Sequence, residues 1–219
     1  LSMMVRDGLP VPPGFALDPD FSAMVAKRDT ATLAKLDGLL SELGGVVAVR
    51  SSGLGEDGAE TSFAGQHATV LGVDRDDTLI KAITTVVNSA STHGANAYRE
   101  AMAIAQTDRI AVAVQKLAMP EFAGVMFTRN PVTGNDERVI EAVFGLGEAL
   151  VGGLVTPAQY RVARGGEILS AEPGFQEVML KFETGSGVLH IDVPEEQQEA
   201  LMLTPEHIAE LDRLANDCE

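Results

Sequence analysis

The texture of the chain changes once, near Gln106–Arg109, and that change limits the folds available to it. Before that point, stretches with helical spacing alternate with short apolar runs. After it come closely spaced strand signals: Ile110–Leu117, Ala123–Phe127, Arg138–Phe144, Gln159–Ala163, and a hairpin over Val178–Val193 turning at Thr184-Gly-Ser-Gly187. The later series reads as antiparallel. The reading is an α+β protein of two lobes, 1–107 and 108–219.

Within the first part, Leu33, Leu36, Leu40 and Leu43 recur at helical spacing, and Gly44-Gly45 end the helix. Val46–Arg50 reads as a buried strand and Ala68–Val73 as another. Asp76 and Asp77 open a helix with Leu79, Ile83, Val86 and Val87 on its apolar face. His93-Gly94 interrupts it, and helical spacing resumes over Tyr98–Ala105. The three prolines in Leu9-Pro-Val-Pro-Pro13 forbid a regular helix there and predict an extended entry segment. Thr204-Pro-Glu206 caps a final helix carrying Ile208, Leu211 and Leu214.

The β-branched strand ending in Arg50 runs directly into Ser51-Ser52-Gly-Leu-Gly-Glu-Asp, with a second small-residue turn at Ser62-Phe-Ala-Gly65-Gln66. Exposed backbone N–H groups beside a permanent guanidinium suit a chain of phosphates. An ordinary strand followed by a surface loop fits the same residues. In the second part, Glu141 interrupts an apolar strand, where a carboxylate is costly unless paired or bound to a cation. Glu148 follows a Gly-x-Gly turn. Gln159 and Arg161 stand two apart on a strand and so share a face. Oxygen donors from adjacent elements match what Mg²⁺ requires when it also holds phosphate oxygens, and a nearby arginine offsets transferring charge. Surface charges or a salt bridge at Glu148 and Arg161 remain the plain alternative.

The chain carries 32 acidic against 16 basic residues, a formal charge of −16. That balance argues against a nucleic-acid partner, whose backbone demands a basic face. No apolar run reaches the roughly 18 residues of a membrane span, and the N-terminus lacks a secretory pattern. One cysteine, Cys218, forms neither an internal disulfide nor a thiolate cluster, which fits a reducing cytoplasm.

Val49-Arg-Ser-Ser52, Ser62-Phe-Ala-Gly-Gln66, Gly124-Val-Met-Phe-Thr-Arg-Asn-Pro-Val-Thr-Gly134 and Gly145-Leu-Gly-Glu-Ala-Leu-Val151 together resemble the nucleotide-binding domain of phosphoenolpyruvate synthases and pyruvate phosphate dikinases. Rifampicin phosphotransferases share that domain. The Leu9–Phe15 entry segment fits as well, and the likeness is collinear over nearly the whole chain. The resemblance implies an ATP-grasp fold, with ATP and Mg²⁺ in a cleft between the two lobes. By position, Arg50 and Ser51 meet the phosphates, and the Ser62–Gly65 turn, through Ser62, Ala64 and Gly65, covers them. Gln115, Lys116 and Leu117 correspond to the hinge that pairs with adenine. Glu148 and Gln159 correspond to the Mg²⁺ pair, with Glu141 a weaker member, and Arg161 lies beside the transferring phosphate.

The family's upstream glycine-lysine segment, whose lysine grips ATP, is not matched by Lys27 or Lys35. His67, His93, His190 and His207 do not stand in the small-residue motif of its phosphate-accepting histidine. The resemblance therefore implies a fragment of a phosphotransferase whose phosphohistidine swivelling domain and substrate domain lie outside this chain. The readings it leaves open are a dikinase module, a rifampicin-type module and an inactive nucleotide-binding fragment.

Overall fold

A computed structural model describes residues 2–52, 57–58, 61–62, 68–74, 76–89 and 110–219. The expected helix at Tyr98–Ala105 and its break at His93-Gly94 lie outside the described residues. Contacts divide the chain into two compact units, Pro12–Ala118 and a second made of Leu1–Val11 with Met119–Glu219. Both combine helices with antiparallel sheet, so the α+β class holds and fits an ATP-grasp-like domain.

The Pro12–Ala118 unit is built on a four-stranded antiparallel sheet in the order β1 (Gly14–Leu17), β6 (Ala111–Lys116), β2 (Val47–Ser52) and β5 (Thr69–Val73). The extended entry expected after the prolines is β1, which pairs Phe15 with Val114 and Ala16 with Ala113. Helices α2 (Pro19–Ala26), α3 (Thr30–Leu43) and α4 (Asp76–Ser89) supply the apolar cover. Asp18 caps α2 by accepting from the Phe21 N–H at 2.8 Å, and Asp29 caps α3 through the Thr32 N–H at 3.0 Å. At the other end of α3, Gly44 adopts φ +64°, which only glycine takes readily. Val47 and Val49 of β2, Val112 and Val114 of β6, Leu36, Leu79, Ile83 and Val86 form one core. Strand alternation therefore leaves Ala48 and Arg50 on the other sheet face. A two-residue ladder, β3 (Asp57–Gly58) with β4 (Thr61–Ser62), belongs to the same unit.

The second unit contains α1 (Ser2–Arg6) and a four-stranded antiparallel sheet in the order β10 (Ile168–Glu172), β9 (Ala158–Ala163), β8 (Glu137–Phe144) and β7 (Phe122–Phe127). β11 (Val178–Glu183) and β12 (Gly187–Asp192) form the expected hairpin. A single turn, α5 (Glu148–Val151), follows β8, and α6 (Pro205–Asp217) ends the chain. Thr204 caps α6 in a reciprocal box with His207, as the Thr-Pro-Glu signal predicts. Ile140, Ala142, Ala158, Tyr160 and Val162 pack with Ile208, and the Tyr160 hydroxyl accepts from the Leu203 N–H at 3.0 Å. α6 thus covers one face of β8 and β9.

Beneath α6 lies Arg138, whose side chain is fully buried. Its Nε donates to Asp212 at 3.3 Å, Nη1 to the Thr128 carbonyl and to Glu219, and Nη2 to Asn216 at 2.6 Å. Such a guanidinium is tolerated inside only because nearly every donor finds an oxygen. Arg164 joins the cluster by pairing with both Asp136 and Glu219 at 2.6 Å. The hydrogen bonds from Arg164, with help from Arg138, hold the Glu219 carboxyl down at about 2.

Candidate functional site

Cross-strand register decides what the free face of β8 and β9 presents. Glu141 stands directly opposite Gln159, and Val139 opposite Arg161. Because the side-chain period is two, Glu137, Glu141, Gln159 and Arg161 share the face that α6 does not cover. Gln159 Nε2 donates to Glu141 Oε1 at 3.4 Å, a long bond between two half-buried side chains. On the flanking strand β10, Glu172 faces Gln159 and Ser170 faces Arg161. Sequence reasoning anticipated Glu141, Gln159 and Arg161, and the structure places these three together.

Glu137 was missed, and it is the most tightly bonded member of the group. Its carboxylate, 5% exposed, accepts from Arg161 Nη2 at 2.7 Å and from Arg161 Nε at 3.2 Å. It also accepts from Asn130 Nδ2 at 2.6 Å. The Arg161 guanidinium, followed by the Asn130 amide, holds the Glu137 carboxyl below the ordinary carboxylate range, and Glu137 in turn raises Arg161. The signal available in sequence was the period-two spacing from Glu141 back through Val139 to Glu137.

Asn130 belongs to the Gly124–Gly134 motif. Its Oδ1 accepts from the N–H groups of Val132 and Thr133, both at 3.0 Å, and the Gly134 N–H donates to the Asn130 carbonyl at 2.9 Å. This Asx-type turn fixes the asparagine and aims its amide at Glu137.

Glu148 opens α5 in the same unit and is half-buried, with no hydrogen-bond or ion-pair partner for its carboxylate among the described residues. Gly145 gives it this place. Gly145 has φ +75°, and a Cβ there would lie 2.3 Å from the Leu180 carbonyl oxygen. The close approach lets the Leu146 N–H donate to that carbonyl at 2.8 Å, tying the turn to β11.

The remaining predicted residues belong to the Pro12–Ala118 unit. Arg50 is exposed near the end of β2, opposite Ala113 and Thr69, with no ion pair among the described residues. Ser51 follows it, half-buried. Gln115 shares Arg50's sheet face and reaches the Pro12 carbonyl at 3.4 Å. The Lys116 N–H donates to the Pro13 carbonyl at 2.7 Å and the Leu117 N–H to the Val46 carbonyl at 2.8 Å. Those two amides are therefore engaged within the unit. Ser62 lies on β4, while Ala64 and Gly65 lie outside the described residues.

Residues 20–219 match the family model described as pyruvate phosphate dikinase, AMP/ATP-binding domain. The chain belongs to that family. Among curated relatives of this AMP/ATP-binding domain, a probable phosphoenolpyruvate synthase of Archaeoglobus fulgidus is 41% identical over 169 residues, covering 75% of this chain and 22% of the relative. The phosphoenolpyruvate synthase of Pyrococcus furiosus is 40% identical over 182 residues, 79% of this chain and 22% of the relative. Prodigiosin synthesizing transferase PigC of Serratia marcescens is 33% identical over 243 residues, 98% of this chain and 27% of the relative. The chain thus spans about a quarter of the relatives it matches. Among its described residues, no helix is long and apolar enough to cross a membrane.

The side chains on this face of β8 and β9 carry oxygens of the kind a hard cation takes. Glu141 and Gln159 offer oxygens from adjacent strands, and the Glu148 carboxylate is unpaired among the described residues. Among the described residues no group of three or more histidines, cysteines, aspartates or glutamates is placed to hold a metal ion, so these donors would need the oxygens of a bound phosphate to complete a Mg²⁺ site.

Proposed function

We propose that this chain is the ATP-binding part of a longer phosphoenolpyruvate-synthase-like or dikinase-like phosphotransferase, and that it passes phosphate from Mg·ATP to a histidine on a separate domain. The observation that carries the reading is the cross-strand set Glu141, Gln159 and Arg161 on one face, within a chain of the AMP/ATP-binding family. Glu148 and Gln159, with Glu141 as a further oxygen donor, hold Mg²⁺. When bound, the cation neutralises charge on the phosphate oxygens.

Arg161 then supplies a fixed positive charge where the transferring phosphate gains negative character. Arg50 and Ser51 grip the phosphates, and Ser62, Ala64 and Gly65 cover them. Gln115, Lys116 and Leu117 meet the base. With the Lys116 and Leu117 amides already engaged, that contact falls to other groups of the segment. The module forms no covalent bond to phosphate. It positions and neutralises, and the histidine takes the group as nucleophile.

Relatives named for different products, the phosphoenolpyruvate synthases and PigC, match this same chain. The proposal therefore ends at the histidine and leaves the final acceptor to the other domains. A reducing cytoplasm is the proposed compartment, consistent with a single exposed thiol, Cys218. The test is Arg50→Ala in the longer protein. ATP-dependent self-phosphorylation should vanish while the fold persists, and unchanged labelling refutes the assignment.

A further inference from the structure

The four-stranded sheet of the second unit has two edges, and their sequences differ in kind. β10 breaks register with β9 between Ile168 and Ser170 and ends in Glu172. A bulge and a charge are ordinary ways of closing an edge to further pairing. β7 has neither. Its residues Phe122-Ala-Gly-Val-Met-Phe127 pair with β8 without a shift, and none carries a charged or polar side chain. Both faces of the strand are therefore apolar, the pattern of a strand inside a sheet rather than at its rim. Among the described residues β8 is the only strand beside it.

A groove of about 630 Å³ runs along this edge. Its floor is the exposed Gly124, between Phe122 and Met126 on the α6 side of β7. Its wall is a stripe of α6, with His207, Leu211 and Leu214 at helical spacing. The two sides meet where the His207 ring stands edge-on to Phe122, centroids 6.0 Å apart. On the rim, Glu210 and Arg213 face each other across 3.9 Å, both exposed. Helix α6 thus has two apolar sides: Ile208 and Ala215 are fully buried, while Leu211 and Leu214 line the groove.

A strand edge beside an apolar groove matches an extended polypeptide, which offers backbone groups to the strand and alternate side chains to the groove. A small apolar ligand would leave the backbone row unmet. A second copy of the chain brings another 16 negative charges, and that repulsion opposes pairing. The chain covers 22% of the Archaeoglobus relative and 27% of PigC. In a protein of such length, the remaining polypeptide is tethered to this edge at an effective concentration of about millimolar.

We propose that a segment of the longer protein, outside residues 1–219, adds as a fifth strand along the free edge of β7 and packs apolar side chains into the groove beside α6. The inference needs only that the chain belongs to a longer protein, and it is independent of nucleotide binding.

The experiment places a photo-crosslinking residue in the groove of the longer protein, as Leu214→benzoylphenylalanine and, from the strand side, Met126→benzoylphenylalanine. Irradiated products are sized and sequenced by mass spectrometry. Each probe should attach, at monomer mass, to one segment outside residues 1–219. Hydrogen exchange is read alongside, with β8 as the internal standard. In the longer protein the outward amides of β7 should exchange as slowly as those of β8. In the 219-residue chain, β8 should stay protected while those β7 amides exchange on the order of tenfold or more faster. If β8 is not protected in that chain, the crosslinks in the longer protein decide alone.

The proposal falls on any of three results. Attachment within residues 1–219 means that the chain covers its own edge. A product above monomer mass marks a second copy or another protein as the occupant. No attachment from either probe, with β7 amides exchanging fast in the longer protein, means that the edge stays open to water.

Discussion

The Glu137 carboxylate lies 2.7 Å from the Arg161 guanidinium, on paired strands β8 and β9 and on the face that α6 leaves uncovered. The pair is asymmetric, because the acid is 5% exposed and the base 43%. Arg161 therefore leans out from an anchored carboxylate, which is the opposite of two flexible surface charges meeting in solvent.

That asymmetry predicts a pH dependence. The folded-state pKa values of Glu137 and Glu219 are both depressed, Glu219 to about 2. A depressed carboxyl contributes stability that is present above its unfolded value, near 4.3–4.5, and is lost as pH falls through the folded value. Wild type should lose stability as pH drops from about 5 toward 2, and the difference between wild type and Glu137→Gln should shrink over the same window. Urea unfolding at stepped pH checks this, and a gap constant across the window contradicts it.

Arg138→Ala should be among the most damaging single changes in the second unit. It strips a fully buried guanidinium from Asp212, itself 6% exposed, and leaves that carboxylate with the Gly165 N–H at 3.0 Å. Breaking a buried pair from one side costs about 3–5 kcal/mol. Chemical denaturation should register a loss of that order, and a loss under 1 kcal/mol refutes the burial argument.

Gly145→Ala tests the turn that places Glu148. An L-residue at φ +75° costs about 1–3 kcal/mol, and the new Cβ would also meet the Leu180 carbonyl oxygen at 2.3 Å. The variant should unfold at a lower temperature and need more Mg²⁺ for nucleotide binding. Gly185→Ala, at the β11–β12 turn with φ +83° and open space around it, should be destabilised without any change in the Mg²⁺ requirement.

Glu148→Gln keeps shape and removes charge. It should raise the Mg²⁺ concentration needed for half-maximal ATP binding while leaving thermal stability within about 0.5 kcal/mol of wild type, since no partner among the described residues is lost. A superimposable Mg²⁺ titration would mark Glu148 as a plain surface charge.

Much of this arrangement was legible because strong local rules act on it. The leucine spacing and Gly44-Gly45 predict a helix that stops at Leu43, where α3 (Thr30–Leu43) ends. The Thr-Gly-Ser-Gly turn predicts the β11–β12 hairpin, and period-two spacing predicts that Gln159 and Arg161 share a face. Strand β10 escaped because Ile168–Glu172 lacks clean alternation, carries a register shift against β9 and is half-exposed. Helix α2 escaped because Pro19 falls close behind the prolines of the entry segment, although a proline at the first helical position is favourable. Glu137 and Arg138 escaped for a different reason. Period-two spacing puts Glu137 on the face of Glu141 but does not name its partners Asn130 and Arg161, and the partners of Arg138, Asp212 and Asn216, are likewise set by tertiary contacts.

The most direct test of the account is calorimetric titration of ATP, with and without Mg²⁺, into the wild-type chain, Arg50→Ala and Arg161→Ala. The account predicts one ATP bound per chain, more tightly with Mg²⁺, and a loss of on the order of tenfold or more in each variant. Binding that is indifferent to Mg²⁺ and unchanged in both variants would contradict it.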